Sequence, residues 1–171
     1  EAGLRTGNMK APFPEEANRS LIGRLAELHF APTEGSKENL LAENINENNI
    51  HVTGNTVIDA LLEIQSSIND YNPIDWPSLP NPTVTAIQDK PQKIILITGH
   101  RRENFGQGFI DFCRALQEIA QHNQNWLLIY PVHLNPNVQK PVFEMLQGAS
   151  NIHLIAPQDY LPFVWLLDKC D

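Results

Sequence analysis

Cysteine is scarce in this chain of 171 residues, in which Cys113 and Cys170 are the only two. Two widely separated thiols cannot build the disulfide framework of a small secreted protein, so we expect a reducing, cytoplasmic location. No apolar run approaches the roughly 20 residues of a membrane-spanning helix. The first residues, EAGLRTGNMK, also lack the basic and then apolar pattern of a signal peptide. The composition therefore argues against secreted and membrane proteins.

Basic residues are also few: the chain has 12 Lys and Arg residues but 20 Asp and Glu residues, which gives a net charge of −8. A protein that binds a nucleic-acid backbone or an anionic membrane surface normally carries an excess of basic residues. Neither partner is expected here. The chain begins at Glu1, and its first methionine is Met9, so we interpret it as an internal piece of a longer protein.

Two regions of alternating strands and helices flank a proline-rich segment. Apolar runs such as KIILIT (93–98) and WLLIYPV (126–132) are typical of buried parallel strands, and each precedes a segment of helical periodicity. Residues 69–92 hold five prolines, which favours a linker. The pattern predicts an α/β protein with doubly wound sheets. We expect a first domain over 1–68, a linker over 69–92 and a second domain over 93–171.

The segment TGHRRENFGQGF (98–109) joins the end of a predicted strand to the start of a predicted helix. Ligands bind beyond the carboxyl ends of strands in open α/β sheets, and a helix N-terminus favours an anion. His100, Arg101 and Arg102 therefore predict a phosphate or diphosphate site. The alternative is that Arg102 and Glu103 only form a solvated surface pair.

Acidic residues near the beginning of the chain form a second candidate group. Glu1 opens the segment EAGLRTG, while Glu15 and Glu16 open the first predicted helix. Of two carboxylates in one cleft, one could act as a general acid and the other as a general base. Acids in a first helical turn also have a simpler explanation, since they compensate the helix dipole, and the pattern alone favours that explanation.

His133 follows the predicted strand 126–132, so it can face the same crevice as His100. By itself it fits a structural, hydrogen-bonded histidine better than a reactive one. No closely spaced set of His, Cys or carboxylate residues resembles a zinc site. We therefore expect neither a metal nor a cofactor.

Several motifs taken together carry a family resemblance. The segments EAGLRTG, PEEANR, VTGNTVIDAL, ITGHRRENFGQGF, YPVHLNPNV and PQDYLPFVWLL resemble those of the bacterial non-hydrolysing UDP-N-acetylglucosamine 2-epimerases. The resemblance implies two Rossmann-like halves of a glycosyltransferase-B-type fold, each incomplete in this chain. It also implies interconversion of UDP-GlcNAc and UDP-ManNAc, by elimination of UDP to 2-acetamidoglucal and re-addition of UDP.

The resemblance also implies roles for residues. Glu1 matches a catalytic acid or base of the family, and Glu15 matches a second acid of the active site. His100 matches the histidine that contacts the nucleotide and assists departure of the leaving group.

Further matches imply substrate binding. Gln158 and Phe163 match positions that hold the uracil end of the nucleotide. Arg101 and His133 match positions beside a second substrate molecule that activates some bacterial members. We also expect a homodimer, because missing strands would leave apolar sheet edges unpaired and favour self-association.

Parts of the family pattern do not occur in this sequence. A catalytic Asp and a Gly/Thr/Arg loop would precede Glu1, and a Ser–Gly-rich loop would follow Asp171. We therefore expect the isolated chain to be inactive. Three alternatives stay open: a hydrolysing relative that releases ManNAc, a UDP-sugar glycosyltransferase of the same fold, and an inert nucleotide-binding piece.

Overall fold

The computed structural model describes residues 1–99 and 106–171. The chain divides into two compact units, Glu1–Leu62 and Glu63–Asp171. Each unit contains a parallel sheet with helices, so the predicted α/β class is confirmed. His100 and Arg101 belong to 100–105 and lie outside the described residues.

The first unit is built on a two-stranded parallel sheet. Strands β1 (His29–Ala31) and β2 (Ile50–Val52) pair with His29 opposite Ile50. The helices that begin in this unit are α1 (Glu15–Leu25), α2 (Glu34–Ala42) and α3 (Thr56–Ser67), and a short 3-10 helix covers Glu47–Asn49. The side chain of Thr33 starts α2 by accepting a hydrogen bond from the Ser36 amide. Ala31, Leu40 and Ile50 form the small core between sheet and helix.

The second unit contains a three-stranded parallel sheet in the order β3–β4–β5. Its strands are β3 (Lys93–Leu96), β4 (Trp126–Pro131) and β5 (Ile152–Ile155). Its helices are α4 (Asn81–Gln88), α5 (Gln107–His122), α6 (Pro136–Leu146) and α7 (Tyr160–Lys169), with 3-10 turns at Ile68–Asp70 and Pro73–Asp75. The strand order keeps β4 in the centre.

The core of the second unit surrounds this central strand. Four successive residues of β4, from Leu127 to Tyr130, are buried, as expected for a strand covered on both faces. Helix α5 contributes Phe109, Cys113 and Leu116 at helical spacing. Cys113 is fully buried, and this burial raises the pKa of its thiol.

The proline-rich segment 69–92 contains more structure than its composition indicated. Pro80 and Pro82 lie at the start of α4, where a helix tolerates proline because its first amides need no helical partner. Thr83, Val84 and Ile87 of this helix are buried. The domain boundaries at 68/69 and 92/93 stay a prediction.

The apolar residues of α1 and α3 are mostly exposed. Leu21 and Leu25, which repeat at helical spacing in α1, are 63% and 86% exposed. Val57, Ile58 and Leu62 of α3 are also exposed, and no residue of this described helix is buried. The spacing predicts both helices correctly, but apolar periodicity does not show what covers the apolar face.

Within residues 1–99 and 106–171, no helix has both the length and the apolar character needed to cross a membrane.

Candidate functional site

The segment EAGLRTG packs tightly against α2. Gly3 has a φ of +77°, and a Cβ atom at this position would lie 2.0 Å from the carbonyl oxygen of Ser36. The side-chain amide of Asn39 donates to the Gly3 carbonyl oxygen at 3.0 Å. Only glycine combines this backbone conformation with so close an approach.

Arg5 holds the EAGLRTG segment in place through an ion pair with Glu43. Its Nε and Nη2 atoms donate to the two carboxylate oxygens of Glu43 at 2.6 and 3.1 Å. This hydrogen-bonded pairing lowers the pKa of Glu43. A two-pronged contact fixes the orientation of both side chains, so Arg5 serves to hold the motif in place.

Glu1 and Glu15 line one pocket of about 460 Å³ in the first unit. Its wall also includes Asn18 and Arg19 from α1, together with apolar side chains such as Ile22. The structure therefore brings together the two carboxylates that the sequence marks as candidates. A pocket of this size, largely apolar with a few convergent polar groups, has the character of a small-molecule site.

Arg19 is the main contact of Glu1. Its Nε and Nη2 atoms donate to Glu1 Oε2 at 2.9 and 2.8 Å. The Glu1 side chain is 67% exposed, whereas that of Arg19 is only 17% exposed. The carboxylate thus remains accessible from solvent while a better-buried cation holds one of its oxygens.

Glu16 has a different environment from Glu15, although both open α1. It is only 2% exposed, and its Oε1 atom accepts hydrogen bonds from the amides of Thr6 and Gly7, both at 3.0 Å. Its Oε2 atom has no hydrogen-bond partner among the described residues and lies 3.9 Å from Arg19 Nη1. Glu16 therefore anchors the loop that follows the EAGLR segment.

The sequence interpretation missed Arg19. A signal was present, since Arg19 follows Glu16 by three residues and Glu15 by four in PEEANR, which are the spacings of side-chain pairs on one helix face.

Candidate residues of the second unit follow neighbouring strands. The three strands are parallel, so their carboxyl ends meet at one edge of the sheet. His133 follows the end of β4 by two residues, and Gln158 follows the end of β5 by three. The edge is therefore the expected place for a ligand in an open α/β sheet.

Gly99, the last described residue after β3, is held firmly. The hydroxyl of Tyr130 donates to its carbonyl oxygen at 2.7 Å, and a Cβ atom on Gly99 would lie 3.1 Å from the Phe112 ring. Burial raises the pKa of Tyr130 to about 12, so its hydroxyl stays a proton donor. These contacts fix the backbone position of Gly99, which directly precedes His100 in the sequence.

We expect Tyr130→Phe to lower the free energy of unfolding by about 0.5–1.5 kcal/mol, because the Gly99 carbonyl loses its donor without a change of packing. Urea unfolding of the variant measures the loss. Tyr160→Phe is the matched control, because Tyr160 is half exposed. Equal stability of the wild type and Tyr130→Phe would contradict this prediction.

Gln158 ties the loop after β5 to the proline-rich segment. Its Nε2 atom donates to the carbonyl oxygens of Ser78 and Ala156, both at 2.7 Å, and its Oε1 atom accepts from the Ser78 hydroxyl at 3.2 Å. Phe163 lies half-buried in the first turns of α7. Binding of uracil by Gln158 and Phe163 stays a prediction.

His133 is exposed at the end of β4, and its Nδ1 atom accepts a hydrogen bond from the Asn135 amide at 3.0 Å. This contact fixes the orientation of the ring beside the start of α6. Its role in binding a second substrate molecule stays a prediction.

Comparison with known proteins decides the family. The sequence model described as UDP-N-acetylglucosamine 2-epimerase matches residues 1–171. The chain belongs to the UDP-N-acetylglucosamine 2-epimerase family. A relative of that name from Salmonella typhimurium is 54% identical over 174 residues, which cover 98% of this chain and 44% of the relative. The chain thus spans less than half the length of such epimerases.

Solved structures agree with this assignment. A Neisseria meningitidis UDP-GlcNAc 2-epimerase bound to UDP-GlcNAc is 44% identical, with a TM-score of 0.82 over 99% of this chain and 45% of that one. The S. aureus MnaA–UDP co-structure is 37% identical, with a TM-score of 0.85 over 99% of this chain and 43% of that one. The expected epimerase resemblance and glycosyltransferase-B-type fold are confirmed.

Proposed function

We propose that the whole protein containing this chain interconverts UDP-GlcNAc and UDP-ManNAc. The observation that carries the proposal is the shared pocket of Glu1 and Glu15, in a chain that belongs to the epimerase family throughout its length. The relatives that match it are named for this activity, and a solved relative holds UDP-GlcNAc.

The chemistry explains why two acids and an anion site are needed together. C2 of the sugar has no carbonyl beside it, so direct removal of its proton is very difficult. In the proposed route, a base takes the C2 proton and the C1–O bond breaks, with its electron pair leaving on UDP. Re-addition of UDP to the resulting 2-acetamidoglucal, with a proton delivered to the opposite face of C2, gives the epimer.

Each candidate residue has a place in this route. Glu1 and Glu15 exchange protons with the sugar, and their position on one pocket supports this assignment. His100 assists departure of UDP from the segment that follows Gly99. No metal or cofactor is needed, since general acid–base chemistry and cations of the protein suffice.

Binding of the nucleotide falls to the second unit in this proposal. Gln158 and Phe163 hold the uracil end, and Arg101 and His133 contact a second substrate molecule. The position of His133 and Gln158 after neighbouring parallel strands supports a shared ligand edge. The whole protein is further proposed to act as a cytoplasmic homodimer.

Turnover of UDP-GlcNAc in deuterated water tests the proposed function. The whole protein should yield UDP-ManNAc and place deuterium at C2 of the recovered UDP-sugars. Free ManNAc as the main product would instead identify the hydrolysing relative. Transfer of the sugar to an acceptor without exchange at C2 would identify a glycosyltransferase, and no turnover would identify an inert protein.

We expect the 171-residue chain on its own to form no detectable UDP-ManNAc from UDP-GlcNAc. It spans 44% of the length of its relatives, and positioning of reactants supplies up to about 7–11 kcal/mol of an enzymatic barrier. Product analysis by chromatography, with the whole protein as control, measures the difference. Turnover by the isolated chain at a rate near that of the whole protein would contradict this prediction.

A further inference from the structure

A continuous set of contacts links the buried side of α1 to the Glu1 carboxylate. It runs from the amides of Thr6 and Gly7 to Glu16, from Glu16 to Arg19, and from Arg19 to Glu1. We define these contacts as the Arg19 bridge. Its inner end is buried and its outer end reaches the pocket that Glu1 and Glu15 share.

We propose that Arg19 is a positioning residue, whose guanidinium fixes the Glu1 carboxylate for proton exchange with the sugar. This inference rests on the proposed function, because it assigns Arg19 a role through Glu1.

The geometry of the outer contact supports this role. Both Arg19 donors, Nε and Nη2, meet the same oxygen of Glu1. In the described part of the chain, no hydrogen bond occupies the second oxygen, Oε1. One oxygen is therefore held by two charge-assisted hydrogen bonds, and the other can exchange a proton.

The inner contact explains how Arg19 itself is held. A long, flexible arginine at the surface loses considerable entropy when one geometry is imposed on it. Here the Arg19 side chain is 17% exposed, and its Nη1 atom lies 3.9 Å from the unpaired Oε2 atom of Glu16. Glu16 in turn is fixed by two backbone amides. A buried carboxylate needs a compensating charge, which Arg19 supplies.

This arrangement differs from an ordinary surface ion pair. An exposed pair contributes at most about 1 kcal/mol to stability, and a pair that does not hold a reacting group leaves the catalytic rate unchanged when it is lost. A positioning contact has a different signature, because its loss leaves substrate binding nearly intact and lowers kcat. Misplacement of a catalytic group by about 1 Å can cost about 10²-fold in rate.

Arg19→Ala in the whole protein provides the test. We expect kcat for epimerisation to fall by about 10²-fold, with KM and UDP affinity changed by less than about threefold. The melting temperature should also fall, because the buried Glu16 carboxylate loses its compensating charge. Arg19→Lys keeps the charge without the two-pronged geometry, so it should recover only part of the rate. Added methylguanidinium ion should also restore part of the rate of Arg19→Ala.

Arg24→Ala is the matched control on the same helix. Arg24 donates to the backbone carbonyl of Glu43 at 2.9 Å and does not line the pocket, so its kcat should equal that of the wild type. Combining Arg19→Ala with Glu1→Gln gives a further check. If Arg19 acts through Glu1, the double variant should be no slower than Glu1→Gln alone.

The outcomes separate this inference from the proposed function. Wild-type protein that forms no UDP-ManNAc overturns both. Active wild type with an unchanged kcat in Arg19→Ala overturns the positioning role alone, as does a loss that appears only in KM. If Arg19→Ala fails to fold, Arg19→Lys decides: full wild-type kcat would refute the need for the two-pronged contact, and a reduced kcat at normal stability would support it.

Discussion

The Glu1→Gln variant of the whole protein is expected to lose exchange of the C2 proton by about 10²- to 10⁴-fold, because a positioned acid or base contributes a factor of that order. Glutamine keeps the size of the side chain and an oxygen that Arg19 can bind. It cannot take a proton from the sugar. The measurement is incorporation of deuterium at C2 of UDP-GlcNAc recovered from deuterated water.

Binding of UDP should be nearly unaffected by the same change, since the lost charge belongs to the sugar pocket in the proposed arrangement. Glu47→Gln is the matched control: Glu47 is an exposed acid of the same unit whose carboxylate pairs with Lys37 at 2.8 Å. A Glu1→Gln variant that exchanges normally but loses UDP affinity would reverse the assignment.

The His100→Ala variant should lower the rate of epimerisation by about 10²- to 10⁴-fold, because departure of UDP loses the group that assists it. His100 directly follows Gly99, whose carbonyl oxygen is fixed by the Tyr130 hydroxyl, and it comes after the strand β3, which ends at Leu96. The sequence therefore places it beyond the carboxyl end of β3, where a ligand is expected. Steady-state kinetics with UDP-GlcNAc measures the loss.

His122→Ala is the control for this variant, because His122 is an exposed histidine at the end of α5 whose ring contacts the Glu118 carbonyl. Its rate should equal that of the wild type. A His100→Ala enzyme that keeps more than about a tenth of the wild-type rate would exclude a rate-limiting role for His100.

Most of the elements could be predicted from the sequence because their signals are local. The four buried residues of β4 form a run of apolar side chains, and α5 repeats its core residues at helical spacing. Helix α4 was missed, because prolines at a helix start look like a linker when only composition is considered. The informative feature is the position of the prolines, with Pro80 directly before the helix and Pro82 in its first turn.

The candidate site was predictable only in part. Glu1 and Glu15 could be named from their motifs, and the structure brings them to one pocket. Arg19 and Tyr130 were not singled out as site residues, because their importance comes from partners 18 and 31 residues away along the chain. Such contacts depend on how the elements pack, which local sequence patterns do not record.

The EAGLRTG motif combines two kinds of requirement that a sequence search cannot separate. Gly3 is required because the Ser36 carbonyl oxygen leaves no room for a side chain, and Arg5 is required because it pairs with Glu43. Both residues therefore serve the packing of the segment. Glu1, which is largely exposed on the pocket, is required for chemistry in the proposed function. A relative that kept Gly3 and Arg5 but replaced Glu1 would still match most of the motif and fold alike, yet we expect it to have lost epimerisation. Activity in such relatives should therefore be inferred from this one position rather than from the motif as a whole.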